Sequence, residues 1–183
     1  MTRRVCVFFM GALIMTLAAV DGGFGEGSMQ LYSSAFKNDA SIPKEYVMKA
    51  IGGDNISPPL TWKDSPKGAK SFAISMVDPH PFANNWVHWL VIDIPADVNS
   101  IPEGASGKSM PAGSVELVNS YGSMGYGGPQ PPKGTGEHPY VMTLYALKVD
   151  ALDVDKNASL KDFQKALRGK ILAEATITGY YGQ

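Results

Sequence analysis

All three histidines of this 183-residue chain fall in two short segments, each of which also carries other groups able to bind a ligand. The first segment runs from Asp78 to Pro95, D-P-H-P-F-A-N-N-W-V-H-W-L-V-I-D-I-P, and holds His80 and His88. Pro79 and Pro81 fix φ and hold Asp78 and His80 in a stiff turn, which lowers the entropy lost when a ligand binds there. His88 stands in an apolar row, where an imidazole needs a partner or a cavity. The second segment, G-Y-G-G-P-Q-P-P-K-G-T-G-E-H-P-Y from Gly125 to Tyr140, carries His138. Its glycines allow close backbone approach and exposed N–H groups while its prolines restrain the loop, a combination suited to an anion. These residue types support ligand binding more than catalysis, and a site shared by the two segments is the economical reading. Nucleotide binding of the Walker or dinucleotide type is unsupported, since no Gly-Lys-Ser/Thr follows the glycines and no G-x-G-x-x-G opens a helix.

The elements that must position these groups are mainly strands. From Trp86 to Ile94 one parity holds Trp86, His88, Leu90, Ile92 and Ile94, and the other holds Val87, Trp89, Val91 and Asp93. A strand apolar on both faces is expected in a central position between two layers. Ser71 to Val77 alternates Phe72, Ile74 and Met76 with small residues and feeds into Asp78, and Tyr140 to Val149 resumes the strand pattern. Met29 to Phe36 reads as a first edge strand, Glu45 to Ala50 as a short strand and Ala173 to Thr178 as the last one. Ser159, with Asp162 three residues on, reads as a helix N-cap before a stripe of Leu160, Phe163, Leu167 and Ile171. Gly52 to Trp62 reads as a proline-stiffened structural turn buttressed by Trp62. Ala96 to Pro139 reads as a long irregular connection, which inside a compact domain is usually functional or disordered. The expected fold is mainly β, an antiparallel two-sheet β-sandwich with small peripheral helices.

At the N-terminus Arg3 and Arg4 precede an apolar run from Val5 to Val20 that breaks into Asp21-Gly22-Gly23-Phe24-Gly25, the layout of a secretory signal peptide. The run is short of the roughly 20 apolar residues that span a bilayer, so cleaved export to a periplasmic or secreted location is expected, with the cut after Ala19 or Gly25. This divides the chain into a leader over 1–25 and one domain over 26–183. Removing the leader removes Cys6, the single cysteine, and with it any disulfide, thiolate nucleophile or thiolate metal ligand. It also takes two of 16 basic and one of 17 acidic residues, leaving 14 against 16. A net negative chain with no lysine run argues against nucleic acid as a partner.

Three separated motifs in order resemble the phosphatidylethanolamine-binding protein family, which includes Raf kinase inhibitor protein. They are N-I-S-P-P-L-T-W at Asn55 to Trp62, the D-P-H-P turn leading to W-V-H-W at Trp86 to Trp89, and G-P-Q-P-P-K-G-T-G-E-H-P-Y at Gly128 to Tyr140. Loop lengths and the abrupt C-terminus look like its bacterial branch. The resemblance implies a two-sheet β fold with a small anion pocket at one end for phosphate-type head groups such as phosphoethanolamine. It implies no cofactor, and it allows a homodimer and a protein partner, as for the family's inhibitor members. Carried over by motif, the pocket residues are Asp78, His88, His138 and Tyr140, with Pro132 and the backbone near Gly128 as walls.

On this reading His88 and His138 donate N–H bonds to an oxyanion, helped by Tyr140 and glycine-loop amides, while Asp78 orients an imidazole. Two positions depart from the family pattern. His80 stands where a second aspartate is usual, which should make the mouth more receptive to anions as pH falls, and Pro139 stands where an arginine is usual, which removes a cation. The His80 exchange also opens a metal alternative: Asp78, His80, His88 and His138 are zinc-ligand types, and three imidazoles with a water could support hydrolysis. Their order lacks a compact spacing such as H-E-x-x-H. A third alternative is a protein-interaction module independent of the pocket.

Overall fold

The computed structural model describes residues 28–183, so the leader read at residues 1–25 lies outside the described residues. Two sheets face each other. The smaller has the order β1-β3-β6, with β1 at Gln30–Tyr32, β3 at Leu60–Lys63 and β6 at Ser100–Ile101, all antiparallel. The larger contains β2 (Ala40–Ser41), β4 (Ser71–Asp78), β5 (Trp86–Pro95), β7 (Val115–Glu116), β8 (His138–Leu147) and β9 (Ile171–Tyr181) in the order β2-β9-β8-β4-β5-β7. Every pair in it is antiparallel except β2–β9, which is parallel.

The core follows from strand alternation. Phe72, Ile74 and Met76 of β4, and Tyr140, Met142, Leu144 and Ala146 of β8, form one buried cluster with Leu31, Leu60, Trp62 and Ile101 of the small sheet. The other face of the large sheet gives Ala73, Val87, Leu90 and Ile92 to a second cluster with Phe163 and Leu167 of α1 (Leu160–Leu167). Strand β5 is therefore buried on both faces and lies between two layers, as its composition suggests. It is not central, because only the two-residue β7 lies beyond it.

Two irregularities in β5 overturn its simple parity. Val77 pairs with Val87 and Met76 with Trp89, so His88 is an extra residue on β5. A second shift follows between Ile74 and Phe72, where Asp93 takes a left-handed φ of 57° and accepts a 2.8 Å bond from the Leu152 amide. Such bulges re-aim side chains. Trp89, Val91 and Ile94 consequently share the inner cluster while Val87, Leu90 and Ile92 share the outer one.

Three further expectations change. Glu45 to Ala50 holds no strand but two 3₁₀ turns, Lys44–Tyr46 and Lys49–Ile51, closed by bonds such as Tyr46 N–H to Pro43 O at 3.1 Å. Pro43 has no N–H to give a ladder, and Gly52, at φ 85°, ends the second turn. The helix is capped by Ser159, whose hydroxyl oxygen accepts from the Asp162 amide, but it stops at Leu167. Gly169 in the left-handed region ends it, so Ile171 opens β9 instead of extending the helical stripe. The last strand is accordingly long, and it pairs with β8 along that strand's whole length.

Candidate functional site

Antiparallel order explains why the singled-out residues meet. Asp78 is the last residue of β4, while Trp86 and His88 begin β5 and His138 and Tyr140 begin β8, the two strands flanking β4. One end of the sheet thus collects all five. Beside them lies a cavity of about 430 Å³ lined by Asp78, His88 and Tyr140, by Phe82, Ala83 and Trp86, and by Tyr121, Gln130 and Pro132. A second cavity, of about 490 Å³ against α1 and the Asp153–Ala158 loop, shares none of these residues.

Each lining group has a definable state. The turn after β4 is fastened by Asp78, whose Oδ1 accepts from the His80 amide at 2.8 Å. Asp78 Oδ2 meets His138 Nδ1 at 2.6 Å, and His138 Nε2 meets Thr135 Oγ1 at 2.9 Å. Because the Thr135 hydroxyl donates to Pro132 O at 2.7 Å, its oxygen accepts from His138. His138 is thereby held from both sides, its Nδ1 against Asp78 and its Nε2 against Thr135, in a buried contact. The connectivity carboxylate–imidazole–hydroxyl resembles a nucleophile relay, but the hydroxyl hydrogen goes to a carbonyl and neither Thr135 nor His138 lines the cavity.

The bulge aims His88 at Tyr140, with ring centroids 5.0 Å apart and edge to face. His88 Nδ1 bonds Gly127 O at 2.6 Å, and a carbonyl only accepts, so Nδ1 carries the hydrogen. Burial lowers the His88 pKa from 6.5 to about 4, despite the opposing pull of the Gly127 carbonyl and Asp78. The ring is neutral near pH 7 and its Nε2 presents a lone pair, not an N–H. Tyr140 is fully buried, and its hydroxyl donates to no group among the described residues. Burial, then the Asp78 charge, push its ionisation well up, although the Gln130 backbone acts the other way, so it remains a phenol. Tyr121 is likewise pushed up to about 12 by burial and Asp78, and its hydroxyl donates to Gly128 O at 3.1 Å.

Of the residues expected from sequence, Asp78, His88, Pro132 and Tyr140 line the cavity, while His138 stands behind Asp78 with both nitrogens engaged. His138 is therefore not placed to donate to an oxyanion. Gly128 is not among the lining residues and packs instead on the Tyr46–Met48 backbone, where a Cβ would lie 2.2 Å from Tyr46 O. The glycine amides are engaged too, Gly127 N with His88 O and Gly128 N with the Asn55 side chain, so they do not form the expected anion cradle. His80 stacks on His138 at 3.7 Å and on Phe82 at 5.7 Å, and is not itself among the lining residues. Among the described residues no group of three or more His, Cys, Asp or Glu could hold a metal ion, so the set of Asp78, His80, His88 and His138 is not gathered as ligands.

Tyr121, Phe82, Ala83, Trp86 and Gln130 were not foreseen as lining residues. Tyr121 sits in the irregular connection, where no periodicity points to it. It is carried in by Asn119, whose side-chain oxygen accepts from the Tyr121 amide at 2.9 Å. Asn55, in the N-I-S-P-P motif, holds the Gly127–Gly128 segment through its 2.7 Å bond, which gives that motif a supporting role.

Residues 32–182 match the profile of the family described as phosphatidylethanolamine-binding protein. A UPF0098 protein of Aquifex aeolicus is 38% identical over 172 residues, covering 94% of this chain and 98% of that protein. The UPF0098 protein YbhB of Escherichia coli K12 is 38% identical over 158 residues, covering 84% and 99%. Among solved structures, E. coli YbcL, described as a new member of the mammalian PEBP family, superposes with a TM-score of 0.80 at 36% identity over 86% of this chain and 99% of YbcL. Profile, relatives and the two-sheet fold agree: the chain belongs to the phosphatidylethanolamine-binding protein family.

Proposed function

We propose that this protein is an exported, non-catalytic binding protein whose cavity takes a small phosphate-type head group. The observation that carries the reading is Tyr140, a residue of the same cavity lining as Asp78 and His88, whose buried hydroxyl donates to no group among the described residues. A buried donor left unsatisfied costs about 1–3 kcal/mol, and an oxygen of a bound oxyanion would recover it. Support for binding over catalysis comes from the lining residues, in which no hydroxyl is activated by a neighbouring base. The arginine-led apolar N-terminus supports export, checked by sequencing the N-terminus of the protein recovered outside the cytoplasm.

Calorimetric titration with phosphoethanolamine at pH 5.5 tests the pocket. Wild-type protein should bind it saturably, and Tyr140→Phe should bind about tenfold more weakly, the loss of one hydrogen bond to a charged group. Equal binding by the two proteins would count against the reading. A second reading, protein docking at the cavity mouth, is favoured by Phe82, 72% exposed, and Trp86, 39% exposed. It predicts a captured partner whose binding survives substitution of His88.

A further inference from the structure

The cavity differs from an ordinary anion site in what it lacks. None of its nine lining residues is lysine or arginine, and one is a carboxylate. Asp78 Oδ2 already meets His138 Nδ1, and no lysine or arginine of the lining stands ready for a second negative charge on the ligand. The hydrogen-bonding groups are also mixed. Tyr140 offers a donor without a partner. His88 offers an acceptor: Gly127 O fixes the hydrogen on Nδ1, which leaves a lone pair on Nε2. Both Asp78 oxygens accept. An occupant made only of acceptors satisfies Tyr140 but sets its oxygens against the lone pairs of His88 and Asp78.

Resting on the binding reading above, we propose that the pocket admits an oxyanion only when that oxyanion also carries a hydrogen to donate. A singly protonated phosphate monoester is taken, its P–O⁻ accepting from Tyr140 and its P–OH donating to His88 Nε2 or Asp78. The fully ionised monoester and sulfate are refused. The discrimination has the character of a site built around a hydrogen bond, which rejects an analogue lacking the hydrogen far more strongly than a hydrophobic pocket rejects a missing methylene. The aromatic mouth of Phe82 and Trp86 leaves room for whatever the monoester carries.

Methyl phosphate is the direct probe, because its second ionisation falls near pH 6. Across pH 5.5–8 the groups facing it are Asp78 from β4, His88 from β5, Tyr140 from β8 and Tyr121 from its turn, with His138 and His80 behind Asp78. The expected result is that methyl phosphate affinity falls roughly tenfold per pH unit above about 6, and that sulfate binds at least about tenfold more weakly than methyl phosphate at pH 5.5. His80→Gln, which alters a ring outside the cavity, should keep the same slope. Sulfate binding within about threefold of methyl phosphate, a flat pH profile, or a slope that disappears in His80→Gln would each overturn the donor requirement while leaving the pocket as a binding site. If phosphoethanolamine, methyl phosphate and sulfate all fail to bind, both readings fall.

Discussion

Tyr140 is the residue on which the account turns, and its isolation has a second consequence. Tyr140→Phe removes a hydroxyl that the protein leaves unpaired, so the ligand-free variant should be about 1 kcal/mol more stable in denaturant titration even as it loses affinity. A structural role for the hydroxyl predicts the opposite sign for stability. His138 shows the limit of reading residues one at a time. Its type and its place before Tyr140 mark it for the site, but its task depends on Thr135, Pro132 and Asp78, three partners whose approach only the folded chain determines. Tyr121 carries no comparable mark in the sequence, because an aromatic residue in an irregular loop looks the same whether it lines a cavity or caps a turn.

At the scale of elements, the strand that carries His88 was legible and its facing was not. Alternation assigns His88 and Leu90 to one row, and the bulge separates them, sending Leu90 towards α1 and His88 towards Tyr140. A bulge leaves little trace in a run of apolar residues when both faces are buried, since either parity looks acceptable. The loop before β8 behaves similarly. Its glycines suggested exposed amides, whereas at Gly128 close packing is what excludes a side chain: an added Cβ would meet Tyr46 O at 2.2 Å and Val47 C at 2.9 Å, both backbone atoms. Gly128→Ala should therefore lower stability by about 3 kcal/mol. It should also weaken phosphoethanolamine binding, because the displaced segment supplies the acceptors of His88 and Tyr121. A shift in denaturant midpoint without a change in slope would check the first part.

At the scale of the whole molecule, the two-sheet fold was readable because β4, β5 and β8 carry long apolar patterns and the cysteine-free domain is large enough to bury a core without cross-links. Two-residue strands such as β2, β6 and β7 were not readable, being set by neighbours and not by their own composition. Folding around the neutral His88 also sets a pH dependence. Its pKa is lowered on folding from 6.5 to about 4, so the unfolded chain takes up a proton that the folded one refuses. Stability should fall as pH drops from about 6.5 towards 4, by about 3 kcal/mol from this group, and no further below that. His88→Asn should remove this component from urea-unfolding free energies measured along the same pH series. The most direct test of the central claim is an NMR titration of the protein with phosphoethanolamine at pH 5.5, followed at the rings of His88 and Tyr140. Saturable shifts at both, unchanged by a chelator, are predicted. Rings that stay silent at millimolar ligand, or that shift only when zinc is added, would contradict the account.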